Sequence, residues 1–138
     1  MKNILNNLIL LTMFVSLNTS CCNNKEELHR YIYLKNNTSK TIYYGLSYSY
    51  SDTSLKKIED VPGYNGSIAH KITSGEQTTL PAASFAYNPT MQLFIFDSKT
   101  IENTPWDSIV AHHMVLKRYQ FTESDMEKGN WTITYPKR

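Results

Sequence analysis

From residue 40 to residue 50 the chain alternates. Ile42, Tyr44, Leu46, Tyr48 and Tyr50 fall on one side of an extended backbone, and Thr41, Tyr43, Gly45, Ser47 and Ser49 on the other. A period of two marks a half-buried strand. Residues 30–35, Arg-Tyr-Ile-Tyr-Leu-Lys, read as another strand. Asn36-Asn37-Thr38-Ser39 between them is turn chemistry, because asparagine tolerates the left-handed region. The spacing predicts that the two strands pair as a hairpin. Met91 to Phe96 is apolar at every position but Gln92, which predicts a central strand covered on both faces. Shorter strands are expected at 67–72, 76–80, 114–121 and 130–135. In the last, Trp131, Ile133 and Tyr135 alternate with Thr132 and Thr134. Residues 51–66 make a long polar connection with turn signals at Pro62-Gly63 and Asn65-Gly66, and 81–90 is irregular.

Thr104-Pro105-Trp106-Asp107 has the form of a helix start, with Thr104 as N-cap, Pro105 at the first helical position and Asp107 reaching back in a capping-box manner. Trp106, Ile109, Val110 and His113 then give one inward stripe, expected to pack on strand 91–96. A second short helical turn is expected from Thr122, with Asp125 three residues on. About seven short strands and one or two small helices predict a mainly β fold. The expected form is an antiparallel β-sandwich with a short helical insertion before the penultimate strand. A helix packed on one face of a single sheet is the alternative.

The N-terminal pattern differs in kind. One lysine, Lys2, precedes a nearly unbroken apolar run from Leu8 to Leu17, followed by Thr19, Ser20 and Cys21. This is the order of a secretory signal: charged, apolar, small. As a helix the run spans roughly 15 Å, against a hydrocarbon core of roughly 30 Å. The two cysteines, Cys21 and Cys22, are adjacent and have no third partner, so no disulfide staples the domain. The stretch Leu17-Asn18-Thr19-Ser20-Cys21 resembles the lipobox of bacterial lipoproteins, although Asn18 stands where that motif is apolar. The resemblance implies cleavage before Cys21 and acylation of its thiol; Cys22 is the alternative start. Asn23-Asn24-Lys25-Glu26-Glu27 resembles the export signal of bacteroidete surface lipoproteins, and reads equally as a solvated tether. The expected division is a signal peptide at 1–20, an acylated tether at 21–28 and one domain at 29–138. The expected location is the outer membrane, lipid-anchored, facing either the exterior or the periplasm.

A further resemblance runs through most of residues 30–136. Phe94-Ile95-Phe96-Asp97, Pro105-Trp106-Asp107-Ser108-Ile109, Leu116-Lys117-Arg118-Tyr119 and Asn130-Trp131-Thr132-Ile133-Thr134-Tyr135-Pro136 carry it, with Asn37 and Thr41-Ile42-Tyr43. These segments resemble a group of small uncharacterised lipoproteins of gut bacteroidetes. That resemblance implies a compartment and carries no activity.

Charge and side-chain chemistry then narrow the function classes. The formal net charge is +2, and the pairs Lys56-Lys57 and Lys117-Arg118 are isolated. Nucleic-acid binders concentrate basic residues on one face, so nucleic acid is not an expected partner. His112 and His113 are neighbours that diverge by about 100° on a helix, and His29 and His70 stand alone. No His-Glu-x-x-His or cysteine pair points to a metal, and no cofactor motif is present. Ser47 lacks the closing glycine of a nucleophile elbow. Asp97, Glu102 and Asp107 flank one connection, but Asp107 reads as a cap and Asp97 as a strand end. The domain is therefore expected not to be an enzyme.

Ten tyrosines are many for this length. Tyr44, Tyr48 and Tyr119 suit a sandwich core with a polar tip at its rim. Tyr43, Tyr64 and Tyr87, on an outward face or in loops, are the candidate ligand-binding residues, with a glycan or a protein as partner. Three functions stay open: a non-enzymatic binding or accessory module at the cell surface, a structural component of an envelope complex, and a small hydrolase. Exposed aromatics on one face favour the first, an unpaired apolar edge the second, and a pocket with two convergent ionisable groups the third.

Overall fold

A computed structural model describes residues 31–63, 69–86 and 88–136. Cys21 and Cys22, with the expected signal and tether, lie outside the described residues, as do Tyr64 and Tyr87. The strands are β1 (Tyr31–Asn36), β2 (Ile42–Ser47), β3 (Lys71–Ile72), β4 (Gln77–Pro81), β5 (Thr90–Asp97), β6 (Lys117–Thr122) and β7 (Thr132–Tyr135). The helices are α1 (Ser98–Asn103), α2 (Trp106–Ala111) and α3 (Glu123–Lys128), with 3₁₀ turns at Leu55–Lys57 and Ala83–Ala86.

The strands form a three-stranded sheet, β4-β1-β7, and a four-stranded sheet, β3-β2-β5-β6. The fold is the mainly β sandwich expected, with one departure in strand direction. All pairs are antiparallel except β1 and β7, which run parallel. The expected hairpin of the first two strands is also corrected: β1 and β2 lie in different sheets. Asn36 gives the reason. Its carboxamide is fully buried. It donates to the carbonyls of Lys40, Ile72 and Thr73 at 2.7, 3.1 and 3.1 Å, and its Oδ1 accepts from the Thr38 amide and hydroxyl. The turn is thus an arch pinned to the β3–β4 connection, and it carries the chain from one sheet to the other.

Two apolar clusters share β5. Ile32, Leu34, Leu80 and Ile133 from the small sheet meet Ile42, Tyr44, Met91, Leu93, Ile95 and Phe121 from the large one. On the far side of the large sheet, Phe94 and Phe96 meet Tyr43, Leu55, Ile58, Ile101 and Ile109. Every side chain from Met91 to Phe96 is fully buried, as a strand apolar on both faces requires. Three layers result: small sheet, large sheet, and a helical cover. Trp106 packs edge-on against Phe96, ring centroids 5.8 Å apart, as its position in the helical stripe predicts.

The helix starts differ in detail from expectation. Asp97 caps α1, accepting from the amides of Lys99 and Thr100 at 2.9 and 3.3 Å. Thr104 closes that helix through its amide to the Thr100 carbonyl, so it does not cap α2, which begins after Pro105 without a side-chain cap. His113 lies past the end of α2, exposed and with φ 49°, and so leaves the inward stripe. The capping box at Thr122 and Asp125 forms as expected.

Candidate functional site

The alternation of β2 sets Tyr43 opposite Tyr44 and hence on an outward face, and the structure corrects this. That face is roofed by the 3₁₀ turn and the helices, and Tyr43 is 2% exposed. Its hydroxyl donates to Glu102 Oε1 at 3.2 Å, and Lys71 Nζ reaches the same oxygen at 2.7 Å. Burial pushes the Tyr43 phenol above its ordinary value, opposed by the nearby Lys71 ammonium. The Lys71 hydrogen bond holds the Glu102 carboxyl low, and the same bond raises Lys71. Tyr43 is therefore a packed ring with an anchored tip, and offers no open face to a ligand.

The polar connection after β2 is likewise a cover in its described part. Leu55 and Ile58 are buried. Ile58 sits over Gly45, where an added Cβ would come within 3.0 Å of it. At Gly63, φ is +69° and a Cβ would collide with Ile101. Gln92, the one polar residue in the β5 run, holds this connection from inside. It donates to the Asp52 carbonyl at 2.8 Å and accepts from Arg118 at 2.9 Å.

Of the carboxylates Asp97, Glu102 and Asp107, the first serves as a cap and the second pairs with Lys71, while Asp107 is exposed in the first turn of α2, which has no side-chain cap. Among the described residues no group of three or more His, Cys, Asp or Glu side chains is placed to hold a metal ion. A small cavity of about 110 Å³ opens beside β3 and β4, lined by Tyr44, Tyr48, Glu59, Asp60 and His70. His70 stacks on Tyr44 there, centroids 4.9 Å apart.

The open aromatic surface lies elsewhere. In β1 the odd residues face out and the even ones in. Tyr31 and Tyr33 are 56% and 39% exposed, while Ile32 and Leu34 are fully buried beneath them. Pairing fixes what surrounds them. Tyr31 lies opposite Pro81, Tyr33 lies between Thr79 and Thr132, and Lys35 lies between Gln77 and Thr134. The outer face of the small sheet is thus two tyrosines and a lysine bordered mainly by hydroxyl and amide side chains.

This face runs over β7 into an open groove of about 730 Å³. It lies where β7 and β6, the last strands of their sheets, approach beside α3. Lys35, Thr132 and Thr134 belong to both face and groove, whose remaining walls include Tyr119, Phe121, Met126, Ile133 and Lys128. Tyr119 takes Phe121 on one side and the edge of Tyr135 on another, at 5.8 and 6.5 Å, and Lys117 Nζ lies 6.0 Å from its ring centre. Asp125 also lines the groove, but one of its oxygens is engaged by the Thr122 amide and hydroxyl.

Sequence reasoning missed Tyr31 and Tyr33. Their signal was the step of two between tyrosines flanking the aliphatic Ile32, which leaves the amphipathic ring as the one that tolerates water. No family model, curated protein or solved structure matches the chain, so the site rests on its own geometry.

Proposed function

We propose that the domain is a non-enzymatic binding module, tethered to the outer membrane by acyl chains on Cys21, which takes an extended glycan or protein segment on the small sheet. The observation that carries this reading is the pair Tyr31 and Tyr33, exposed on one face and continuous with the groove beside β7. Rings that keep over a third of their surface in water forgo burial worth about 25 cal/mol per Å² of apolar area. A partner recovers that stabilisation. The groove volume falls in the usual range for ligand sites, roughly 300–1,000 Å³.

The double variant Tyr31→Ala/Tyr33→Ala tests the reading on glycan and protein arrays. Capture should disappear while the melting curve stays within about 0.5 kcal/mol of wild type, as expected for surface substitutions. Unchanged capture would remove the face from the site. Turnover of a glycan, peptide or ester that vanishes in Asp97→Asn or Asp107→Asn would make the domain an enzyme. For the anchor, Cys21→Ser should leave the chain unacylated by mass spectrometry. Acyl chains surviving that change but lost in Cys22→Ser would move the anchor by one residue. The structural-component reading draws on Met114 and Leu116, 39% and 51% exposed beside the open edge of β6. It predicts that changing these two, and not the tyrosines, dissolves an envelope complex.

A further inference from the structure

Resting on the binding-module reading above, we infer that the ligand of the Tyr31–Tyr33 face is an anionic glycan, read by stacking at the tyrosines and by charge at Lys35. Successive outward residues of a strand stand about 6.6 Å apart, twice the rise of one residue. Tyr31, Tyr33 and Lys35 therefore form three evenly spaced steps along β1, a spacing on the scale of one sugar unit. The first two steps are aromatic, and the apolar face of a pyranose lies flat on such a ring. Hydroxyl-bearing side chains flank the second step on both sides, Thr79 and Thr132; the Thr132 hydroxyl donates to the Asn130 carbonyl at 3.1 Å and can still accept from a sugar hydroxyl.

The third step differs in sign and not only in size. Lys35 carries the one formal charge on these three cross-strand rows, which otherwise hold Tyr, Thr, Gln and Pro. From there the groove continues the same polarity, with Lys128 in its wall and Lys117 over the ring of Tyr119. Among the described residues of its lining the one carboxylate, Asp125, has one oxygen engaged by Thr122 and is outnumbered by Lys35 and Lys128. A neutral chain would leave Lys35 with water alone. A carboxylate or sulfate one unit beyond the sugar on Tyr33 meets an ammonium, and such charge-assisted hydrogen bonds are about twice as strong as neutral ones. An acidic polypeptide satisfies the charge but makes poor use of two flat rings, the second of them flanked by hydroxyl-bearing side chains, so the glycan is the better occupant.

Affinity electrophoresis of the full-length chain in detergent tests this with matched polymers. Polygalacturonate is set against its methyl-esterified form, and dextran sulfate against dextran. At least one anionic polymer should bind about tenfold or more tighter than its neutral twin, as one charge-assisted bond allows, and added salt should reduce that preference. Lys35→Gln should erase the preference, leaving each anionic polymer bound no tighter than its neutral twin, and Tyr33→Ala should weaken both. Whichever pair shows the preference distinguishes carboxylate from sulfate recognition. Equal binding of both twins would overturn the charge inference and leave the binding-module reading standing. Binding of the anionic polymers that ignores Tyr33→Ala but falls in Lys56→Gln/Lys57→Gln, on the helical layer, would show nonspecific polyanion adhesion and overturn it too. Capture of proteins alone, still dependent on Tyr31 and Tyr33, would replace the glycan with a protein partner. Binding of nothing would sink both readings.

Discussion

Asn36 is polar and fully buried, and its amide nitrogen faces three backbone carbonyls. Each orphaned buried group costs about 1–3 kcal/mol, so Asn36→Ala is expected to destabilise by about 2–4 kcal/mol in a urea melt. Asn36→Asp should be worse at neutral pH, because a carboxylate would then face carbonyl oxygens. An aspartate variant as stable as wild type would show that the arch does not depend on this donor. At Tyr43 the ring and the hydroxyl separate cleanly. Removing the ring by Tyr43→Ala should cost about 3–5 kcal/mol, as for other large aromatics. Tyr43→Phe should cost far less, since Lys71 still holds Glu102. The Lys71–Glu102 pair also sets a pH dependence. Glu102 is lowered on folding, so its contribution is present above the unfolded carboxylate value and lost as pH falls through the lower folded one. Lys71 is raised, so its contribution is full below the unfolded amine value and lost as pH rises through the folded one. Glu102→Gln should therefore show a small, flat melting-temperature deficit between about pH 6 and pH 9, fading towards acid. A deficit that grows on acidification would refute the pairing.

At the scale of elements, local chemistry was legible and distant cover was not. The Thr122–Asp125 capping box could be read because its partners stand three residues apart and need nothing else. Thr122→Ala should cost about 0.5–2 kcal/mol and loosen α3, which walls the groove; circular dichroism and the urea midpoint check it. The β5 run could be read because six buried side chains leave no solvent face. The β1–β2 hairpin could not, because the same asparagine turn serves a hairpin or an arch. Here the choice is made by the carbonyls of Ile72 and Thr73, far along the chain. Tyr43 pointed outward on alternation alone because its roof comes from Leu55, Ile58 and Ile101, none of them near it in sequence. Tyr31 and Tyr33 were hidden for the converse reason. With Ile32 between them and Leu34 after them, both faces of β1 are apolar in sequence, and only the sandwich decides which set meets water.

At the scale of the whole molecule, β5 is the shared wall of two apolar layers, and this coupling has a measurable consequence. Leu93 serves the cluster between the sheets and Phe94 the cluster under the helices, one residue apart on the same backbone. Loss of either layer exposes one full face of β5, so neither should persist without the other, and unfolding should be a single transition. The two tryptophans report the layers separately. Trp106 packs on Phe96 in the helical layer, and Trp131 lies edge-on to Phe85 at 6.5 Å against the cluster between the sheets. In Trp106→Phe the fluorescence reports the sheets alone, and in Trp131→Phe it reports the helical layer alone. Within each variant the urea curve by fluorescence should coincide with the curve by far-ultraviolet circular dichroism. Leu93→Ala and Phe94→Ala should shift both signals together, by about 2–5 and 3–5 kcal/mol respectively, without changing the slope. If the Trp106 signal is lost at lower urea than the dichroism, the helical layer is a separate unit resting on the sandwich. The face carrying Tyr31 and Tyr33 would then have to be tested on the two sheets alone.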